Sequence, residues 1–459
     1  MLLNNFEISA LREPVLSGQT RPESWRRLQL QRIEQLINEN ESEIFQALNT
    51  DLGKPQTEAL FEISALRQEL KLAKKELSKW MKPRKIEVPI SLKPGKGMVV
   101  LEPLGCVLII GPWNYPFSLT LQPLISALAA GNTAVIKPSE NANSTSKLIA
   151  NIIPKYFPSE IVQVFEGNGD LAKSLIEQSF DHIFFTGGSN IGKKVMEGAS
   201  KHLTPVTLEL GGKSPALVLQ EAEIETTAQR LIWGKGLNAG QTCIAPNHII
   251  VLESLYEDLI IALKKVITTF YGNEPTNSKD LSKIINTHHF NRLNELLKVA
   301  RNNNQIIFGG SINKESFKIS PTLIKVEGSE DLLLSEEIFG PLLPIIRVPN
   351  FKSAISLITK QPKPLAIYMF GGSAREKEAI INQTSSGGMC FNDVVLQVGV
   401  PEMPFGGVGA SGMGRYHGIA GFETFSHQKS ILSRPFWLDT KFRYPPYRIN
   451  ISLLKKLLR

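Results

Sequence analysis

The chain has 459 residues, 42% of them hydrophobic and 20% charged, which predicts a globular protein of about two to four domains and excludes collagen-like and low-complexity sequences. Its three cysteines, Cys106, Cys243 and Cys390, show no C-x-x-C spacing, which argues against a disulfide scaffold and favours a reducing compartment. The formal net charge is +8, but residues 429–459 carry eight Lys and Arg against one Asp, so the nearly neutral remainder excludes a nucleic-acid-binding face on the folded body.

The first part of the chain predicts helices. Between residues 20 and 82, apolar side chains recur at helical spacing in two runs, which Gly53 and Pro55 separate. Pro83 ends the second run. Residues 85–102 then predict an extended hairpin, bent at a proline-glycine pair.

From residue 107 onward, short apolar strands alternate with helices. The predicted strands are 107–110, 134–136, 161–165, 182–185, 216–219 and 249–252. The predicted helices are 118–130, 144–156, 171–177, one ending near Lys235, and 255–270. This alternation indicates parallel sheets covered on both faces, so we predict an α/β fold with two such units in series.

Two loops at strand ends are typical of a dinucleotide site. Gly187 and Gly192 lie where a strand ends and a helix begins, and glycines there allow close backbone approach to a phosphate. Lys137 and Glu140 follow an earlier strand, at the edge where such sheets bind ligands, and are spaced to hold ribose hydroxyls. The acidic residue favours NAD over a 2′-phosphate. Each loop taken alone also fits an ordinary solvated turn.

Cys243 is the candidate nucleophile. It lies in the polar, glycine-containing loop Gly240-Gln-Thr-Cys243, and the thiolate is the reactive form of a cysteine. Cys106 and Cys390 lie in apolar runs typical of inert core thiols. A lone cysteine belongs more often to the core than to an active site, so the polar surroundings of Cys243 distinguish it.

Glu209 and Asn114 supply candidate partners for that thiol. Glu209 projects to the face opposite its two leucine neighbours, just before a Gly-Gly turn, and suits a general base that activates water. An exposed strand residue is the alternative. Asn114 lies between Pro112 and Pro116, which fix its backbone, so its amide suits an oxyanion hole or an ordinary turn.

Together these motifs resemble the NAD(P)-dependent aldehyde dehydrogenase superfamily. In the family's order they read Gly111-Pro-Trp-Asn114-Tyr-Pro116, Lys137-Pro-Ser-Glu140, Phe185-Thr-Gly187, Leu208-Glu209-Leu-Gly-Gly-Lys213, Gly240-Gln-Thr-Cys243, Glu336-Glu337-Ile-Phe339-Gly-Pro341 and Pro404-Phe-Gly-Gly407. Any one motif is modest evidence, whereas the ordered set is specific. Two further runs, Gln241-Thr-Cys-Ile-Ala-Pro246 and Gly412-Met-Gly-Arg415-Tyr-His417, are most similar to the class 3, fatty-aldehyde branch.

The resemblance implies a mechanism. Cys243 would attack the aldehyde carbonyl to give a thiohemiacetal, whose oxyanion the Asn114 side-chain amide and the Cys243 backbone N–H would hold. Hydride transfer to the nicotinamide of NAD(P) would leave a thioester, and Glu209 would activate the water that releases the acid. Glu337 matches the residue that holds the nicotinamide ribose, and Phe339 matches the aromatic ring packed nearby.

The resemblance also assigns the rest of the cofactor site. Lys137 and Glu140 match the binders of the adenosine ribose, and Gly187 and Gly192 match the phosphate turn. Gly188 stands where the family commonly has serine or asparagine, which leaves the choice between NAD and NADP open. The seven histidines form no His/Cys ligand pairs, so we expect no metal.

The family's architecture implies two Rossmann-like, doubly wound parallel-sheet domains and a bridging, oligomerisation arm. We expect an NAD(P)-binding domain at 1–84 and 103–210, a catalytic domain at 211–388, the arm at 85–102 and 389–435, and a basic amphipathic tail at 436–459. The resemblance further implies a homodimer that acts on medium- to long-chain aliphatic or aromatic aldehydes.

The end of the chain mixes basic and apolar residues. Four leucines between residues 453 and 458 share one predicted helical face beside two lysines, a pattern that suits an anionic membrane surface. A solvated or dimer-docked tail is the equal alternative. No apolar stretch is long enough for a membrane span and the amino terminus lacks a basic leader, so we expect a cytoplasmic protein, with peripheral membrane contact left open.

Other functions fit parts of the pattern. An apocarotenal-oxidising enzyme would use the same machinery on a conjugated aldehyde. A CoA-acylating dehydrogenase would pass the thioester to CoA, whereas Glu209 favours water. A cysteine hydrolase needs a base near the thiol, for which His248 is the nearest candidate in sequence. The chain could also be an inactive structural or membrane scaffold on this fold. A scaffold does not need a nucleophile, an oxyanion amide, a base and a ribose-binding carboxylate together, so their joint presence argues against this alternative.

Overall fold

The structure is a computed structural model that describes residues 6–328, 330–439, 443–447 and 450–457. Its helices are α1 (Ile8–Leu16), α2 (Glu23–Glu39), α3 (Glu41–Leu52), α4 (Gln56–Trp80), α5 (Ser118–Ala130), α6 (Asn143–Tyr156), α7 (Gly169–Ile176), α8 (Ser189–Ser200), α9 (Ile224–Gly236), α10 (Tyr256–Tyr271), α11 (Thr287–Asn302), α12 (Phe351–Thr359), α13 (Ala374–Gln383), α14 (Gly418–Thr424) and α15 (Ile451–Leu457). Its strands are β1 (Arg84–Ile86), β2 (Lys96–Pro103), β3 (Cys106–Ile110), β4 (Thr133–Lys137), β5 (Val162–Val164), β6 (His182–Thr186), β7 (Val206–Glu209), β8 (Pro215–Val218), β9 (His248–Leu252), β10 (Ile306–Phe308), β11 (Ile312–Asn313), β12 (Lys318–Ile319), β13 (Thr322–Val326), β14 (Leu342–Val348), β15 (Ala366–Phe370), β16 (Gly388–Phe391), β17 (Gly412–Met413) and β18 (Ser426–Ser433).

Four helices precede the first sheet. The chain bends at Asn40, which divides the first predicted helical run into α2 and α3, and α3 ends at Gly53 in the left-handed conformation with φ of +62°. Glycine adopts this conformation without steric cost, which explains the helix end. Helix α1 is absent from the sequence prediction because its nine residues, with Pro14 inside, are too few to show a helical period.

The first sheet has the strand order β17-β7-β6-β3-β4-β5. The pairs from β7 to β5 are parallel, and β17 joins β7 as an antiparallel edge strand. Alternate residues of β3 point to opposite faces, so that Val107 packs with α2, α4, α5 and α6, while Leu108 packs with α1, α7 and α8. Burial on both faces is the reason that these strands read as continuous apolar runs.

The second sheet has the order β10-β13-β14-β9-β8-β15-β16, and every pair is parallel except β10 with β13. Helices α9 and α10 pack on one face, and α11, α12 and α13 pack on the other. Two doubly wound sheets in series confirm the α/β prediction. The sequence prediction names no elements in this sheet beyond residue 270.

A third, antiparallel sheet of order β1-β2-β18 brings residues 84–103 together with residues 426–433. The predicted hairpin at 85–102 lies within it. The domain boundaries given above remain a prediction.

The tail lies only partly within the described residues. Outside them are residues 440–442, 448–449 and 458–459, together with the side chains of Leu453, Lys456 and Leu457. Of the four leucines of the predicted face, the side chain of Leu454 alone is described, so the predicted face as a whole lies outside the described residues. Within the described part, Phe436 and Trp437 are almost fully exposed, and α15 follows. Among the helices of the described ranges, none has the length and apolar character needed to cross a membrane.

Candidate active site

The carboxyl edge of the first sheet collects four of the predicted site residues. Asn114 follows β3, Lys137 ends β4, Gly187 follows β6 and Glu209 ends β7. In a parallel sheet these strand ends lie at one edge, which is where α/β proteins bind their ligands. Residues far apart in the sequence are therefore brought together by the topology alone.

Cys243 reaches this edge on a tight loop after α9. Asn238 and Ala239 have φ of +51° and +52°, and Gly240 has φ of +74°. A side chain at Gly240 would put its Cβ 2.3 Å from the carbonyl oxygen of Gly340, so only glycine fits. The left-handed conformation of Asn238 and Ala239 costs conformational energy, and such strain is characteristic of functional loops.

The loop of Cys243 is bonded directly to the loop of Asn114. The side-chain amide of Asn238 donates to the carbonyl oxygen of Asn114 at 2.8 Å and to that of Gln241 at 3.2 Å. Asn114 is itself buried, and its side-chain amide has N–H groups that can donate to an oxygen of a bound ligand.

Glu209 is a buried carboxylate without partners. It is 3% exposed, it pairs with Thr186 on one side and Gly412 on the other through the backbone, and within the described residues neither of its carboxylate oxygens has a hydrogen-bond partner. Burial raises the pKa of this carboxyl group well above its ordinary value. A buried carboxyl group without a hydrogen-bond partner destabilises the fold, so its presence here indicates a functional role.

Cys243, Glu209 and Glu337 act on one another electrostatically. Burial, together with the negative charges of Glu337 and Glu209, raises the pKa of the Cys243 thiol to about 12. The backbone N–H groups of Cys243 and Ile244 act in the opposite direction. The thiol is therefore neutral at physiological pH, and forming the thiolate requires a base or a positive charge brought to the site.

Glu337 acts on the thiol electrostatically, and Phe339 lies two residues further along the chain. Burial raises the pKa of Glu337 to about 7, whereas the backbone N–H of Gly212 and the positive charges of Lys235 and Arg292 lower it. Phe339 has φ of +47°, and its ring meets Trp113 edge-on at 5.2 Å between centroids. Both predicted residues thus belong to the same wall of the site.

The remaining predicted residues fit a dinucleotide. The ammonium group of Lys137, which is buried, forms an ion pair with the half-exposed carboxylate of Glu140. Helix α8 begins after Gly188 with no side-chain cap, and a Cβ on Gly188 would meet nothing within 4 Å. Free N–H groups and an open approach at a twelve-residue helix suit a phosphate.

Two residues of the site escaped the sequence prediction. Tyr416 is buried, and burial together with the charges of Glu209 and Cys243 raises the pKa of its hydroxyl well above its ordinary value. It lies within the Gly412–His417 run, which could have pointed to it. Lys235 is also buried; burial lowers its pKa to about 7 and the charge of Glu337 raises it. No sequence signal marks Lys235, because it lies inside a helix.

Comparisons with known proteins agree with this geometry. The sequence model of the aldehyde dehydrogenase family matches residues 17–431. The chain is 43% identical over 454 residues to aldehyde dehydrogenase family 3 member H1 of Arabidopsis thaliana, covering 98% of this chain and 94% of that protein. It is 43% identical over 442 residues to the 4,4'-diaponeurosporen-aldehyde dehydrogenase of Staphylococcus aureus, covering 96% of each. The substrate-bound structure of Staphylococcus aureus AldH superposes with a TM-score of 0.95 at 41% identity, covering 98% of each chain.

Proposed function

The chain belongs to the aldehyde dehydrogenase family, in its class 3 branch, and on that premise we propose how its residues carry out the family's reaction. The protein is an NAD(P)-dependent oxidoreductase that converts aldehydes to carboxylic acids. The observation that carries the residue assignment is the meeting of a half-buried thiol, a buried side-chain amide and a buried carboxyl group without a hydrogen-bond partner at one sheet edge.

Cys243 is the proposed nucleophile. The thiol first gives its proton to solvent; the thiolate sulfur then forms a bond to the aldehyde carbon, and the carbonyl oxygen becomes the oxyanion of a thiohemiacetal. The Asn114 side-chain amide and the Cys243 backbone N–H donate to that oxygen. Removing one such donor typically costs about 10²–10³ in rate.

Glu209 is the proposed general base. Loss of hydride from the thiohemiacetal leaves a thioester on Cys243, which water must cleave. Glu209 takes a proton from that water as the oxygen attacks the thioester carbon, and the thiolate departs as the acid forms. Burial raises the pKa of Glu209, which makes the ionised group a stronger base toward water.

The remaining assigned residues hold the cofactor. NAD(P), when bound, supplies the hydride acceptor. Glu337 and Phe339 would position the nicotinamide end, and Lys137 and Glu140 the adenosine ribose. Gly187 and Gly192 would admit the phosphates to the start of α8. We retain the sequence division into an NAD(P)-binding domain at 1–84 and 103–210, a catalytic domain at 211–388 and an arm at 85–102 and 389–435.

An aldehyde panel tests the reaction and its substrate class. Cys243 packs against the apolar cluster that also contacts Trp233, Val398 and Phe405, so we propose medium- to long-chain aliphatic or aromatic aldehydes as substrates. The Staphylococcus aureus relative favours a second candidate, a conjugated apocarotenal. We expect kcat/KM to rise from propanal to hexadecanal, monitored as reduced cofactor with NAD and with NADP. A higher kcat/KM for an apocarotenal would favour the second candidate, and a preference for glyceraldehyde would contradict both.

We also propose a homodimer formed through the arm. The arm exposes the apolar side chains of Ile86 in β1, Ile90 in the turn between β1 and β2, and Leu432 in β18. Sedimentation equilibrium should give twice the chain mass, and Leu432→Glu should shift the protein toward the monomer. Leu203→Glu, at an exposed leucine outside the arm, is the matched control. A monomeric parent protein would contradict the proposal.

The tail is proposed to bring a cytoplasmic enzyme to a membrane surface. Exposed Phe436, Trp437, Tyr447 and Ile451 lie in a segment with a strong excess of Lys and Arg. Apolar anchors with basic neighbours bind anionic lipid surfaces. The full chain should cosediment with vesicles rich in phosphatidylserine, and a chain ending at residue 435 should not. Equal partition of both would contradict the proposal.

A further inference from the structure

One face of helix α4 holds both loops of the active site. The residues Glu58 and Glu62 are one helical turn apart. Glu58 Oε2 accepts the backbone N–H of Asn238 at 2.9 Å, and so fixes the strained turn that leads to Cys243. Glu62 Oε1 accepts the backbone N–H groups of Phe117 and Ser118 at 3.1 and 3.0 Å, and so fixes the loop that carries Asn114.

Lys54 completes this arrangement from the loop before α4. It is only 1% exposed, and its ammonium nitrogen lies 2.6 Å from Glu62 Oε2. The same nitrogen lies 3.9 Å from the centroid of the Tyr115 ring, in a cation–π contact. A buried ion pair is weak evidence for stability, since apolar residues often serve as well, and such pairs are used in some proteins to specify one geometry.

Tyr115 connects Lys54 to the loop of the nucleophile. Its hydroxyl lies 2.9 Å from Thr242 Oγ1, within hydrogen-bond distance. Tyr115 is the neighbour of Asn114, and Thr242 is the neighbour of Cys243. This bond between Tyr115 and Thr242, called the strut below, connects the two loops. It lies one residue away from the oxyanion donor Asn114 and one residue away from the residue that carries the sulfur.

We propose that Lys54 is a positioning residue for the oxidation, which holds Tyr115 against Thr242 and thereby fixes the distance between the Asn114 amide and the Cys243 sulfur. The inference rests on the proposed roles of Cys243 and Asn114. An oxyanion donor must lie about 2.7–3.1 Å from the developing charge, and a 1 Å misplacement can cost about 10² in rate. Small changes in this strut should accordingly be visible in kcat.

The test is a double-mutant cycle in the full-length enzyme. Lys54→Met combined with Glu62→Gln removes both members of the ion pair, and the glutamine keeps an acceptor for the loop. We expect kcat per reactive Cys243 thiol to fall about tenfold or more. The KM for NAD and the rate of Cys243 alkylation by iodoacetamide should stay within about twofold, because cofactor site and thiol are intact.

The cycle is completed by Tyr115→Phe, which keeps the ring beneath Lys54 and removes only the hydroxyl bond to Thr242. Tyr115→Phe should lower kcat, and adding the Lys54/Glu62 changes to it should cost less than about twofold more. Arg12→Met is the control: it removes an ion pair of similar length, 2.8 Å to Asp181, beyond the amino-terminal edge of the first sheet. It should lower Tm and leave kcat unchanged.

Three outcomes would overturn the inference. The first is an unchanged kcat in the Lys54/Glu62 variant, and the second is a loss of kcat in the combined variant equal to the product of the losses in the Lys54/Glu62 and Tyr115→Phe variants. The third is a loss of thiol reactivity as large as the loss of kcat. If the Lys54/Glu62 variant does not fold, Tyr115→Phe and Thr242→Val form a second cycle, in which non-additive losses support the strut and additive losses refute it. Retained activity in Cys243→Ala would instead refute the proposed function, so the two failures are distinguishable.

Discussion

The carboxylate of Glu337 lies directly against Gly211: a Cβ built on Gly211 would stand 2.0 Å from Glu337 Oε2. The backbone N–H of the neighbouring Gly212 lowers the pKa of the same carboxyl group. The glycine pair that follows β7 therefore contacts Glu337, a residue more than 120 positions away in the sequence. This contact links the catalytic edge of the first sheet to the wall that carries Phe339.

Gly211→Ala should displace the Glu337 carboxylate, because no atom can occupy a position 2.0 Å from its oxygen. If Glu337 holds the nicotinamide ribose, we expect the KM for NAD to rise about tenfold, an apparent loss of about 1.4 kcal/mol. Gly169→Ala is the matched control, since a Cβ there would meet nothing within 4 Å. An unchanged KM in Gly211→Ala would show that this contact does not position the cofactor.

Glu209→Gln should separate the two halves of the reaction. The amide cannot accept a proton from water, so rapid mixing should still give a burst of reduced cofactor, with steady-state turnover lowered about 10²–10⁴-fold. Because burial raises the pKa of Glu209, turnover of the parent enzyme should rise with pH as this group ionises, and the variant should lose that dependence. A variant without a burst would place Glu209 at an earlier step.

Glu69 should make the stability of the fold depend on pH. This carboxyl group is buried, it accepts the backbone N–H of Gly418 at 2.8 Å, and burial raises its pKa from 4.5 to about 7. The folded chain thus keeps a proton that the unfolded chain releases, so this contribution is complete below pH 4.5 and is lost as the pH rises through 7.

Glu69→Gln keeps an acceptor for Gly418 and cannot ionise. At pH 8 it should unfold at higher urea concentration than the parent, with a free energy of unfolding greater by up to about 3 kcal/mol. At pH 4.5 the two proteins should be equally stable. A difference that is the same at both pH values would show that Glu69 does not titrate as described.

Glu140 should set the choice between NAD and NADP. Its half-exposed carboxylate, paired with Lys137, would repel a ribose 2′-phosphate. We expect Glu140→Gln to raise the ratio of kcat/KM with NADP to that with NAD about tenfold, chiefly by lowering the KM for NADP. Kinetics with both cofactors on one aldehyde measure the ratio. If the ratio of kcat/KM with NADP to that with NAD does not change in Glu140→Gln, Glu140 does not set the cofactor preference, and the Gly187–Gly192 turn becomes the candidate.

The sequence predicts the regular parts of this molecule well, for a physical reason. Strands such as β3 and β4 are buried on both faces, so they appear as short apolar runs, and Gly53 ends α3 because it can adopt a left-handed conformation. Helix α1 escapes prediction because it is too short to show a helical spacing of apolar residues. The division at Asn40 escapes prediction because the apolar spacing continues across it.

In the candidate site, too, the sequence predicts the residues that lie in local motifs and misses those whose role depends on contacts with distant segments. Cys243, Glu209 and Asn114 are recognisable because each lies in a motif of turn and polar residues. Lys54 and Glu62 are not, since a lysine after a glycine and a glutamate in a helix look like solvent-facing residues. Their burial follows from the packing of α4 against α5 and the loops that follow β3 and α9, which no local pattern records.

The central claim is that the acyl group passes through the sulfur of Cys243. The most direct measurement is mass spectrometry of Glu209→Gln after reaction with hexanal and NAD, followed by acid quench and digestion. We expect the peptide that contains Cys243 to gain one hexanoyl group, only when NAD is present, with Cys106 and Cys390 unmodified. An acyl group on another residue, or full turnover by Cys243→Ala, would contradict this account.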